Sequence, residues 1–184
     1  MMPELSLNIL DVAQNSVTAG SALTTVSVAA DTAENRLTIR ILDTGCGMTP
    51  EQVQKVTDPF YTTRTTRKVG LGVPFFKMAA EMTGGSFQID STVGKGTDVT
   101  AVFTLDHIDR MPLGDLASTM TALIGPNPDR DFILDYRVDD RHFTMDTREF
   151  RSVLGPEIPL SEPQVLAYIA GAINEGIAAC GQKL

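Results

Sequence analysis

The chain has 184 residues, 42% of them hydrophobic, and a formal net charge of −8. That balance supports a sizeable core and argues against a general nucleic-acid surface, because neutralising phosphates takes clustered Lys and Arg. No run of about 18 apolar residues is present, which excludes a membrane-spanning helix.

The opening residues, MMPELS, carry neither a basic start nor an apolar signal core, so a cytoplasmic protein is expected. Leu5 to Gly20 predicts an amphipathic helix: Leu5, Ile9, Val12 and Ala13 recur at helical spacing, and Gly20 stops it. Asp11 and Asn15, four apart, share a face of that helix. Residues 24 to 30 read as a strand, 31 to 35 as a turn, and 35 to 42 as a second strand in which Leu37, Ile39 and Ile41 alternate with polar neighbours. Cys46 and Cys180 stand in unrelated contexts without metal spacing, which fits a reducing compartment.

The second strand runs into DTGCGM, Asp43 to Met48. An acid at a strand's end can accept a hydrogen bond from an exocyclic amine, and glycines one residue apart leave no side chain to block a flat ring. Taken alone, the stretch reads equally well as an ordinary Gly-rich turn. Thr49, Pro50 and Gln52 then predict a short helix opened by a capping box. Residues 57 to 72, rich in Thr, Arg, Lys and Gly, predict a mobile loop. A helix follows over 73 to 82, with Pro74 in its first turn and Gly84-Gly85 after it. Strands over 86 to 91 and 98 to 105 are joined by TVGKGT. This order predicts an α+β fold with a helical layer on one face of a mixed, largely antiparallel sheet.

Past Asp106 the chain continues with a predicted helix over 113 to 124, ended by Gly125-Pro126. A hairpin follows, 131 to 138 and 141 to 145 across Asp139-Asp140, then a short helix over 147 to 154. Ser161 is the expected cap of a last helix, 162 to 179. Two regions are therefore expected: residues 1–106, and a small α+β extension, 107–184, either docked on the sheet or forming a second module. No cluster in the extension suggests chemistry, and Cys180 reads as a packing thiol.

Five stretches in this order resemble the GHKL ATPase superfamily, which includes DNA gyrase B subunits, mismatch-repair MutL proteins, the large heat-shock chaperone and sensor histidine kinases. The helix with Asn15 matches the asparagine box, and DTGCGM the first glycine box. DPFYTTR (58–64) matches the phenylalanine box, GLGV (70–73) the second glycine box and GKGT (94–97) the third. The resemblance covers about residues 5 to 105 and implies a two-layer α/β sandwich of the Bergerat ATP-binding type.

It further implies roles residue by residue. Asp43 would accept from the adenine amino group, with Gly45, Gly47 and Met48 lining the ring and Thr97 holding the adenine edge, often through water. Asn15 would bind magnesium. Gly70, Leu71, Gly72 and Val73 would present a helix start to the phosphates, and 57 to 72 would be the ATP lid, with Arg64, Arg67 and Lys68 as phosphate partners. Asp11 occupies the place where hydrolysing relatives carry a glutamate general base, and its side chain is one methylene shorter. Lys68 replaces the first glycine of the second glycine box, and Thr18 an aspartate found in MutL-like relatives.

Sensor histidine kinases carry their phosphoacceptor on a helix before the ATPase segment. Only about four residues precede the asparagine-box helix here, and His107 lies behind that segment with Ile108 where an acid is usual. His107 is therefore not expected to accept phosphate, and His142 carries no expected role. The implied function is magnesium-dependent ATP hydrolysis, or γ-phosphoryl transfer to a partner protein in the manner of anti-sigma-factor serine kinases. The alternative is a non-catalytic module that ATP gates. A protein partner engaged through the extension or the lid, or a homodimer, is also expected.

Overall fold

Apolar residues spaced three and four apart give α1 (Leu5–Thr18), whose buried stripe is Leu5, Ile9, Val12, Ala13 and Ser16. The computed structural model describes residues 3–60, 71–181 and 184. Strict alternation then makes β1 (Leu23–Asp31) and β2 (Arg36–Asp43), an antiparallel pair turned at Asn35, whose φ is +52°. Next come α2 (Pro50–Thr57), α3 (Gly72–Met82), β3 (Ser86–Thr92) and β4 (Gly96–Thr104). The capping box of α2 is formed: the Thr49 hydroxyl accepts the Gln52 N–H at 3.2 Å, and Gln52 Oε1 accepts the Thr49 N–H at 2.8 Å. The chain ends with α4 (Leu116–Ile124), β5 (Asp131–Val138), β6 (Arg141–Asp146), α5 (Thr147–Leu154) and α6 (Pro163–Ala179).

The strands form one sheet in the order β3-β4-β2-β1-β5-β6. Neighbours run antiparallel except β1 and β5, which are parallel from Leu23↔Asp131 to Ala30↔Val138. One face of each strand is apolar, and these faces meet in a single core: Val26 and Val28, Leu37 to Ile41 in alternation, Val99 to Phe103, and Phe132 to Tyr136. Over them lie α3, α1, α4 and α6, side by side in that order and each touching the next. Phe76 of α3 anchors the packing, with ring centroids 5.9 Å from Phe103 and 6.1 Å from Phe87. The opposite face carries polar pairs such as Arg40, which grips both oxygens of Asp98 at 2.9 and 2.6 Å. This is the expected α+β, two-layer arrangement with a mixed sheet.

Residues 107–184 extend this same sheet instead of standing apart from it. They also complete α1: the Leu5 and Ser6 N–H groups, which a helix start leaves unpaired, donate to the Pro112 and Leu113 carbonyls at 2.9 and 2.8 Å. That service explains why α4 begins at Leu116, later than the periodicity predicts. Residues 112 and 113 face α1, Gly114 turns the chain at φ +83°, and Asp115 caps α4 through the Ser118 N–H at 2.9 Å. At the last helix the cap position falls on Glu162, not Ser161, and carries no side-chain bond; the first turn closes as the Leu166 N–H donates to the Glu162 carbonyl at 2.9 Å. β4 starts at Gly96, so half of GKGT is strand. Among the described residues no helix is long and apolar enough to cross a membrane.

Candidate functional site

Alternation along β2 places Asp43 on the same side as Leu37, Ile39 and Ile41, so its carboxylate points beneath the helices and is only 7% exposed. A buried carboxylate needs donors. Oδ1 accepts the Gly45 N–H at 2.9 Å and the Thr97 N–H at 3.2 Å, while Oδ2 accepts the Ser16 hydroxyl at 2.7 Å. A carboxylate has about four acceptor sites. Among the described residues, both sites on Oδ1 are taken and one on Oδ2 is left.

The first glycine loop is clamped from two sides. The Cys46 N–H donates to the Ala19 carbonyl at the end of α1 (2.9 Å), and the Cys46 carbonyl accepts the Gly94 N–H from the β3–β4 turn (2.8 Å). Gly47 has φ +70°, and a Cβ there would lie 2.0 Å from the Thr92 carbonyl oxygen, so only glycine fits. The Met48 N–H donates to Ser91 Oγ at 2.8 Å, and Ser91 in turn shares a 2.8 Å hydrogen bond with the Thr97 hydroxyl. Gly45 and Thr97 thus bond Asp43 directly, while Gly47 packs on Thr92 and Met48 reaches Thr97 through Ser91.

A second group lies along the outward face of α1. Asp11 and Asn15 are exposed one turn apart. Gly72, at the start of α3, comes so close that a Cβ there would sit 2.7 Å from Asp11 Cβ; the glycine permits the two helices to touch. Partial burial pushes the Asp11 pKa above the ordinary 3.8. Among the described residues no side-chain cap claims the first N–H groups of the α3 start at Leu71, Gly72 and Val73. Arg64, Arg67, Lys68 and Gly70 lie outside the described residues, as does most of the expected lid.

Among the described residues no three His, Cys, Asp or Glu gather into a metal site. His107 accepts the N–H of Asp109 at its Nδ1 (3.1 Å), and His142 bonds Asp135 on the sheet's open face.

Two participants escaped the motif reading: Ser16 and Ser91. A signal for Ser16 existed, because it extends the apolar stripe of α1, where a buried hydroxyl must find a partner. Nothing local marks Ser91, whose role depends on strand pairing across Ser91↔Thr97.

A family profile described as "Histidine kinase-, DNA gyrase B-, and HSP90-like ATPase" matches residues 3–107. A putative sensor protein of Shewanella frigidimarina is 37% identical over 78 residues, covering 42% of this chain and 12% of that protein. Sensor protein SrrB of Staphylococcus aureus is 35% identical over 101 residues, covering 52% of this chain and 17% of its own length. The chain therefore spans less than a fifth of either relative.

Proposed function

Since the chain belongs to the histidine kinase-, DNA gyrase B- and HSP90-like ATPase family, we propose that it binds ATP with magnesium and either hydrolyses it or passes the γ-phosphoryl group to a partner protein. The observation that carries this reading is the Asp43 carboxylate, buried, held by three donors and left with one acceptor site. An adenine amino group supplies the donor that site lacks.

The remaining residues fit the rest of a nucleotide. Gly45, Gly47 and Met48 keep backbone beside the ring, and Thr97 stands at its edge. The α3 start at Leu71, Gly72 and Val73 faces anionic phosphates with a positive helix end. Asn15 supplies one hard amide oxygen to magnesium, an ion that keeps most of its shell as water and phosphate. Lid residues Arg64, Lys68 and Gly70 are assigned to the phosphates by motif alone. ATP supplies the transferable phosphoryl group, and Asp11 takes the proton from the attacking water or acceptor hydroxyl. In this proposal residues 1–106 do the nucleotide chemistry and 107–184, or the lid, meets a partner, within a cytoplasmic protein or a homodimer.

The test is phosphate release and nucleotide affinity on the same full-chain sample. Asp11→Asn is expected to abolish release with affinity kept within about threefold. A second reading, a module that ATP gates without turnover, is favoured by the short reach of Asp11 compared with a glutamate. Tight ATP binding with neither release nor transfer selects it, and no ATP binding rejects both.

A further inference from the structure

We propose that Ser16 is a positioning residue that sets base selectivity, acting through Asp43; the inference rests on the nucleotide reading above. Ser16 and Asp43 are 2% and 7% exposed, 27 residues apart in sequence, and joined by a 2.7 Å hydrogen bond. Ser16 also directly follows Asn15, so one turn of α1 carries the magnesium-side amide outward and the base-side hydroxyl inward. The Ala19 carbonyl, on the next turn, holds the Cys46 N–H at 2.9 Å, which keeps α1 and the glycine loop in fixed relation.

Selectivity at Asp43 comes down to a count of protons. Adenine presents an amino donor where guanine presents a carbonyl acceptor. An ionised Asp43 only accepts, so it welcomes the first and repels the second. A serine hydroxyl has a single proton, and Ser16 commits it to Oδ2. Among the described residues no second donor bonds Oδ2, so none beside it is offered to a guanine oxygen. With Ser16 cut back to alanine, Oδ2 loses its one donor among the described residues, and in this proposal a water takes that place. Water has two protons, so it can donate to Oδ2 and to guanine at once. The hydroxyl therefore does more than hold the carboxylate: it withholds the second donor that would admit the wrong base.

Magnesium-ATP, magnesium-GTP and magnesium-tripolyphosphate are titrated into the full chain and its variants by calorimetry. For Ser16→Ala the ATP-over-GTP preference is expected to fall at least tenfold while tripolyphosphate, which has no base, binds as in the wild type. A preference within twofold of wild type overturns the proposal, and so does an equal loss for ATP and tripolyphosphate, which marks a merely structural defect. Ser16→Cys fills the same space with one weak donor and excludes the water: ATP affinity falls and the preference stays. If the alanine variant fails to fold, the cysteine variant decides, since equal losses for ATP and tripolyphosphate overturn the proposal there as well. A wild type that binds no ATP at all refutes the nucleotide reading itself, a separate outcome.

Discussion

In the proposed reading turnover depends on Asp11, and its surroundings make that role testable. Packing against the α3 start raises its pKa above the ordinary aspartate value. A general base must be ionised, so phosphate release should fall on the acid side with a midpoint above about 3.9, the unperturbed value. The same shift has a stability consequence of definite sign. Because the folded-state pKa is raised, the fold disfavours the charged form: the cost is absent below the unfolded pKa and appears as pH rises through the folded one. Asp11→Asn should therefore raise the melting temperature slightly at pH 7 and leave it unchanged near pH 3, a pair of scans that also separates this effect from a packing change. Asp43 differs in kind. It is held by Ser16, Gly45 and Thr97 from three separate segments, and losing the charge removes what they were arranged around. Asp43→Asn is expected to weaken ATP binding about ten- to a hundredfold, the range for a hydrogen bond to a charged group, read in the same calorimeter.

At the scale of elements, α2 is the one helix among the described residues with no buried residue, and it relies on its capping box and on contacts with α3 and β3. Removing a Ser or Thr cap costs about 1 kcal/mol. Thr49→Ala should accordingly speed amide exchange at Val53, whose N–H donates to the Thr49 carbonyl at 3.0 Å, by about fivefold, and leave the β1 amides untouched. The elements themselves were legible where local chemistry decides. The alternation of Leu37, Ile39 and Ile41 marks β2, the Thr49–Gln52 pair marks the start of α2, and Asp139 turns β5 into β6 with φ +53°. They were misjudged where a distant segment intervenes: α4 starts three residues late because Pro112 and Leu113 serve α1. Ser161 looks like a cap, but the first turn of α6 closes on Glu162, one residue on.

Over the whole molecule, the ATPase-like segment leans on the residues that follow it. β5 pairs with β1 along eight positions, α4 packs on α1, and the α1 start is capped by backbone from 112 and 113. A chain cut after residue 106 would bare β1 as a long edge strand, a template for pairing with other chains, and uncover Val26, Val28 and Ala30. It should aggregate or associate on size-exclusion chromatography; a monomer with the full chain's melting temperature would contradict this. Sequence alone was enough to determine the order of helices and strands and the five motif positions, because period, cap and glycine turn are written within a few residues of one another. Only tertiary structure decided that β5 lies parallel beside β1 and that Ser16 meets Asp43. Partner strands and buried hydroxyls are chosen by packing between segments that are tens of residues apart, and no local pattern records that choice.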